Sequence, residues 1–355
     1  MTPTKSPSHH LTYFWKKKTI LSFIAVIFVV IIHNSAINQY SVDHDYFWHT
    51  TNFLHNFFAF TFGGVAVPFF FFISGLTFFR NYQPNHYPKK LKSRTKTILI
   101  PYLIWNIIGL LFSILYTYTP LSSYISGREL FVLSPQGIFE GIFLYKYNYQ
   151  FWFLYDLFFY ILLTPLINIL INHKYLGILT CILTLLLPLL TPTFLHLNTF
   201  FTVFYVFGCY IGKHFLPFFT KPATRPIIVS SLIITIAISI IRTLSIYNLI
   251  AIPTIISQTL LLILLLSAFF VSDLFIKKIK QAPQFTQESF PIYTIHTYFL
   301  AIIIKLIYLI NPSNSIILLL NEIISPVITI YIVIAISRLW YQKSPKSHKL
   351  AFGSR

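Results

Sequence analysis

Among the ionisable residues inside long apolar stretches of this 355-residue chain, His33, Asp156, His296 and Lys305 stand out. Such groups are costly in hydrocarbon and usually serve function. His33 lies near the far end of the first apolar run, about 8 Å below the surface at 1.5 Å per residue. Imidazole suits general-base work near neutral pH; a packing histidine bonded to a neighbouring helix is the competing reading. Asp156 lies at a similar depth, about 9 Å. It can orient an imidazole and stabilise the imidazolium, as in a hydrolase triad, or it can pair with Lys305, which lies near the same face. The depth of His296 predicts a position near the inner third, out of reach of His33, where it lines a cofactor path or is simply a satisfied structural histidine.

Two polar stretches could also bind something. Lys89, Lys90, Lys92, Arg94 and Lys96 crowd one loop, and Arg80 ends the preceding run. The plain reading is anchoring to anionic lipid; the sharper one is a clamp for the phosphates of a nucleotide cofactor such as coenzyme A. The segment Asp43-His-Asp-Tyr-Phe-Trp-His49 mixes carboxylates, imidazoles and aromatics. It can serve as an interfacial loop, a sugar-stacking surface or a metal site. Cys181 and Cys209 make neither metal spacing nor a disulfide framework, and no metal is expected.

The elements that must position these residues are membrane helices. The chain is 56% hydrophobic and 10% charged, with mean hydropathy +0.72. Such a chain cannot cover a water-facing surface, so lipid is its solvent. Apolar runs fall at about 19–38, 57–79, 97–116, 151–171, 175–192, 199–213, 227–246, 252–272, 290–310 and 316–338. They predict an all-α, polytopic integral membrane protein of about ten transmembrane helices. A net charge of +18 would suggest nucleic acid in a soluble protein. Here the cations fall between apolar runs, and ten helices with both termini cytoplasmic put most of the 26 lysines and arginines inside. Arg128, Lys146, Arg242 and Lys305 are the exceptions. The expected organisation is a basic cytoplasmic N-terminus (1–18), a transmembrane unit (19–338) and a basic, mobile cytoplasmic tail (339–355). The loop 117–150 predicts a short amphipathic element at the outer interface.

Several ordered motifs then resemble the acyltransferase-3 family of bacterial membrane acyltransferases. Leu21-Ser-Phe through Val29-Val-Ile-Ile-His33-Asn34 is similar to the family's first helix and its histidine. Val67-Pro-Phe-Phe-Phe-Phe-Ile-Ser-Gly75 with Phe79-Arg80 resembles the second, and Lys89-Lys-Leu-Lys-Ser-Arg94 through Trp105-Asn resembles the basic loop and third helix. Trp152-Phe-Leu-Tyr-Asp156-Leu and Ser289-Phe-Pro-Ile-Tyr293 through His296 resemble later signatures. The resemblance implies transfer of an acyl group, typically acetyl, from cytoplasmic acetyl-CoA to a hydroxyl of a cell-surface glycan or its lipid-linked precursor, in a bacterial inner membrane. It implies His33 as the catalytic base or as an acyl-histidine relay, with Asp156 orienting it. Arg80, Lys89, Lys90, Lys92, Arg94 and His296 would hold the coenzyme, and Asn34, Trp152 and Tyr155 the acceptor. Two positions depart from the pattern: Ser22 stands where many members are basic, and Tyr155 where one subgroup has arginine. With no hydrolase-like domain in the sequence, the chain is expected to finish the transfer itself or pass the acyl group to a partner. The rival readings are an exporter or flippase of a polysaccharide or lipid-linked sugar, disfavoured because no inverted repeat of broken helices is evident, and a non-catalytic scaffold.

Overall fold

The computed structural model describes residues 9–38, 42, 44–119 and 130–353. Asp43, the Gly127-Arg-Glu stretch and the ends of both termini lie outside the described residues. All ten apolar runs are helical. Among the described residues, seven helical stretches are long and apolar enough to cross a membrane singly. They contain α1 (His9–Ile32), α2 (Tyr46–His55) continued through a π-turn into α3 (Ala66–Phe79), and α4 (Tyr87–Arg94) continued into α5 (Ile100–Thr117). The other four contain α12 (Arg225–Ile246), α13 (Thr254–Val271), α15 (Ser289–Tyr308) and α16 (Ser315–Lys343). The fourth run is a bent pair, α7 (Trp152–Leu162) and α8 (Thr164–Ile171), angled at 62°. Pro165 explains the bend: it brings no N–H to the ladder and crowds the preceding turn. The fifth and sixth runs form shorter helices, α9 (Lys174–Leu190) and α10 (Thr202–His214), the second followed by the single turn α11 (Leu216–Thr220). Between them lies a two-stranded hairpin, β1 (Thr193–Phe194) and β2 (Leu197–Asn198), turned by Leu195 and His196 at φ 51° and 64°. The loop expected to be amphipathic contains α6 (Pro135–Phe143), N-capped by Ser134, whose hydroxyl accepts from the Gly137 N–H at 2.9 Å.

Small residues set the tightest helix contact. A β-carbon on Gly208 or Gly212 of α10 would overlap the Phe72 or Leu76 carbonyl of α3, and one on Gly75 would overlap the Tyr205 carbonyl in return. Close backbone approach through small residues is the means by which helices associate in lipid, where no hydrophobic force draws them together. Phe71, Phe72, Phe204 and Tyr205 fill the space beside this seam.

The cations gather at one end of the bundle, here termed the basic end. Three consecutive lysines of α1 have three different surroundings, because each residue turns about 100° around the helix. The Lys16 ammonium donates to the Ile279 carbonyl at 2.5 Å. Lys17 is buried and pairs with Asp273 of α14 (Asp273–Ile276) at 2.7 Å. Lys18 faces a cavity. The N-terminal segment is therefore helical from His9 and partly built into the bundle, where a purely cytoplasmic basic stretch was expected.

The C-terminal tail also departs from expectation. After α16 ends at Lys343, α17 (Pro345–Phe352) folds back, and Ala351 and Phe352 are buried. The Trp105 indole donates to the Ala351 carbonyl at 2.9 Å, and Phe352 packs against the same ring. Apolar residues Leu350–Phe352, at the end of an otherwise basic segment, provide the face that docks. His348 in this helix lies 2.9 Å from the Ser337 hydroxyl, and burial holds its pKa below the ordinary 6.5 against the pull of Glu288. A histidine so depressed favours the docked form fully above its unfolded pKa, and the advantage is lost as pH falls through the lower docked value. The protection factor of α17 amides, which corrects for the slower intrinsic exchange at low pH, is expected to fall as the pH drops below about 6.5, and to lose that dependence in His348→Gln.

Candidate active site

At the opposite end of α1, His33 follows the last full helical turn, its N–H bonded to the Val29 carbonyl at 3.3 Å. Its Nδ1 lies 3.2 Å from the Tyr149 hydroxyl. The ring of His296, on α15, stands beside it with centroids 5.2 Å apart and planes at 30°. This corrects the depth argument that kept the two histidines apart. That argument started every helix at one membrane plane. α15 instead enters through a short turn, Gln284–Glu288, and Ser289 lines the same cavity as Ser22 of α1. From that shared level the eleven residues to His33 and the seven to His296 differ by about 6 Å in rise, which the two rings span.

His296 has a fixed tautomer. Its Nδ1 lies 3.0 and 2.9 Å from the carbonyls of Ile292 and Tyr293, which can only accept, so Nδ1 carries the proton. Nε2 is then a lone-pair acceptor. It is buried and, among the described residues, has no hydrogen-bond partner.

Asp156 is not the partner of His33. Its Oδ2 accepts the Asn198 N–H at 3.0 Å, and its Oδ1 has no partner among the described residues. The stripe Trp152–Asp156–Tyr160, spaced four residues apart on α7, faces the segment 198–202. Trp152 meets Phe201 with ring centroids 4.9 Å apart, and the Tyr160 hydroxyl lies 2.9 Å from that of Thr202. Tyr155 and Tyr145 donate to the carbonyls of Leu195 and His196, at 3.0 and 3.3 Å. Asp156 and Tyr155 therefore hold the hairpin, a role that no periodicity announces. Lys305 pairs with neither: its ammonium lies 4.6 Å from the Tyr308 ring centroid. Asn34, expected at the acceptor, ties the helix end instead. Its Nδ2 donates to the Glu322 carbonyl at 2.9 Å and its Oδ1 accepts from Ala36 at 3.1 Å.

A cavity of about 450 Å³ lies at the basic end, and neither His33 nor His296 lines it. Its walls come from α1 (Lys18, Ser22), α3 (Ser74, Thr77), α4 and the turn after it (Lys90, Arg94, Thr97), α7 (Phe153, Leu157) and α15 (Ser289, Tyr293). Of the cations expected to hold coenzyme A, Lys90 and Arg94 line it; Arg80, Lys89 and Lys92 do not. Helix geometry explains the sorting: residues four apart share a face of α4, so Lys90 and Arg94 point together while Lys89 and Lys92 turn away and are exposed. Arg80 lies over the Trp15 ring at 5.1 Å. Lys90 also caps α3, donating to the carbonyls of Phe78 and Arg80. Lys18 joins the set. His296 does not line this cavity, although Tyr293, three residues before it, does.

Several functional candidates went unread in the sequence. Glu322, inside the last apolar run, pairs with His55 at 2.7 Å. The scan that found Asp156 could have found it. Tyr149 and Gln150 lie in a connecting turn, where residue type carried no signal. Of the aromatic-acidic stretch, Asp45 N-caps α2 and accepts from the Trp48 N–H at 2.8 Å and from Ser315 at 2.5 Å, bonds that hold its carboxyl below the usual range. His44 stacks on Trp48 at 3.8 Å. Among the described residues no three His, Cys, Asp or Glu side chains stand together as a metal site would need.

Compared with known proteins, residues 20–339 match the family model described as an acyltransferase domain. No curated protein and no solved structure matches the chain.

Proposed function

The chain belongs to the acyltransferase-3 family, and within that membership we propose that it moves an acetyl group from acetyl-CoA to a hydroxyl of a glycan or its lipid-linked precursor on the opposite face of a bacterial inner membrane. The observation that carries the reading is a cavity with a cationic mouth whose walls include α1 and α15, the two helices that bring His33 and His296 together beyond it. Lys18, Lys90 and Arg94 supply charge for the coenzyme's phosphates. From Lys18 to His33 is fifteen residues, about 22 Å of helix. The pantetheine arm has about thirteen bonds, roughly 15 Å when extended like a peptide at about 3.5 Å for every three bonds. An arm whose phosphates are held at the cations thus covers about two thirds of the way to the histidines, with the thioester at its leading end. Phe153, Phe290 and Tyr293 supply apolar walls beside it.

The acceptor hydroxyl attacks the thioester carbonyl. His33 takes the hydroxyl proton as the C–O bond forms, and the C–S bond breaks to release the coenzyme thiolate, which is then protonated. His296, with Nδ1–H held on the main chain, offers a second acceptor beside it. The basic end faces the cytoplasm in this reading, as the excess of lysine and arginine there requires, and both termini lie on that side.

The test is incubation of membrane vesicles with radiolabelled acetyl-CoA and native envelope glycan. Label is expected in polysaccharide or glycolipid. Absence of transfer with every native acceptor supplied, together with passage of unmodified glycan across the vesicle membrane, would replace this reading with the exporter.

A further inference from the structure

We propose that the Gln150 carboxamide is a catalytic hydrogen-bond donor, holding the thioester carbonyl oxygen while it becomes an oxyanion. The inference rests on acyl transfer at His33 and His296.

Gln150 lies in the short turn Tyr149–Phe151 that opens α7. The turn is fixed at several points. Asn148, just before it, donates through Nδ2 to the Trp105 carbonyl at 2.5 Å and accepts through Oδ1 from the Tyr298 hydroxyl at 2.5 Å. The Tyr293 hydroxyl donates to the Gln150 carbonyl at 2.5 Å. Residues on either side of Gln150's contacts reach the histidines: Tyr149 touches His33, and Tyr293 is three residues from His296 on the same helix. Gln150 thus sits in a fixed turn, one residue from the Tyr149 that contacts His33 and bonded through its carbonyl to the Tyr293 that lies one turn from His296.

Its side chain is 3% exposed, yet its Nε2 has no hydrogen-bond partner among the described residues. His296 Nε2, on the ring beside His33, shares that condition. Buried polar groups without partners are rare and call for an explanation. The explanation here is complementarity. The unpartnered donor matches a carbonyl oxygen, and the unpartnered imidazole nitrogen matches a hydroxyl. A thioester and an alcohol bring one of each. As the alcohol oxygen adds to the carbonyl carbon, the C=O pair of electrons moves onto the oxygen that Gln150 holds. It returns when the C–S bond breaks, and the hydroxyl proton leaves to His33. A donor already in place stabilises that charge more than it stabilises the ground state.

Purified protein in proteoliposomes, assayed with acetyl-CoA and envelope glycan, tests this. Gln150→Ala, and Gln150→Glu, which exchanges the donor for an acceptor at equal size, are expected to lower kcat by about 100- to 1000-fold, the loss typical of one such donor. The KM for acetyl-CoA should stay within about twofold, since the bond strengthens only in the transition state. A second readout does not need turnover. Acetyl-CoA labelled with carbon-13 at the carbonyl, bound to His33→Ala protein, should show its stretch at lower frequency than in water. The double variant His33→Ala/Gln150→Ala should lose that shift. Gln150→Ala at the wild-type rate, a raised KM at unchanged kcat, or a carbonyl frequency indifferent to Gln150 each overturns the proposal while leaving the acyltransferase reading intact. A wild-type protein that transfers no acetyl group overturns both.

Discussion

Replacing His33 with alanine is expected to lower acetyl transfer by about 10²- to 10⁴-fold, the range that general-base help supplies. The residue sits just past the end of α1, half-buried with its ring against Tyr149 and His296, and loss of the imidazole removes no helical backbone bond. Insertion and folding should therefore be unchanged, and equal protein should be found in the membrane by immunoblot. His296→Ala is expected to lose a comparable factor, because it withdraws the acceptor whose tautomer the main chain fixes. The double variant should be little worse than either single one, since groups that act as a unit are not additive. Label transfer from acetyl-CoA in vesicles measures all three. Full activity in His33→Ala, at normal expression, would end both the base and the acyl-histidine versions of the mechanism. Strictly multiplicative losses would separate the two rings into independent roles.

The apolar runs were legible because hydropathy over 18 or more residues is a strong and local signal; each became a helix, including the two too short to span alone by length. The acyltransferase family was legible for a different reason: several weak motifs kept their order along the chain. What failed was geometry between elements. Depth counted from an assumed common plane separated His33 from His296, because nothing in residues 284–289 shows that α15 starts level with the middle of α1. The same count paired Asp156 with His33, although its stripe on α7 belongs to the hairpin. Within one helix, arithmetic would have done better: spacing by four picks Lys90 and Arg94 out of the basic loop, and Lys18 with Ser22 on α1. Gln150 and Tyr149 had no such signal, since a turn has no period and its placement depends on the carbonyls of Trp105 and Gln150 finding donors on other segments.

Asp273→Ala is expected to destabilise the protein by about 3–5 kcal/mol, the usual effect of leaving one member of a buried ion pair behind. Lys17 is 1% exposed and Asp273 fully buried. The carboxylate takes the Lys17 ammonium and the Tyr13 hydroxyl on Oδ1 and the Ala223 N–H at 2.7 Å on Oδ2. Without it, the ammonium remains in apolar surroundings, 3.7 Å from the centroid of the Phe269 ring. Exchanging both partners, as Lys17→Met/Asp273→Leu, removes the stranded charge and should recover part of the loss. About 1–3 kcal/mol should persist, because the Ala223 N–H and the Tyr13 hydroxyl are still left without their acceptor. Denaturant titration in detergent, on the wild type, Asp273→Ala, Lys17→Met, Asp273→Leu and the double variant, reads the loss and the cycle; Asp273→Ala within about 1 kcal/mol of wild type would show the pair to be inert. The outcome bears on catalysis because α1 carries Lys18 and Ser22 at the cavity and His33 at its far end. The pair fastens that helix to α14 and to the segment entering α12, and a shift of about 1 Å in a positioned group can cost a hundredfold in rate. Loss of transfer in Asp273→Ala, restored in the double variant, would show that the clamp serves the site by position and not by charge.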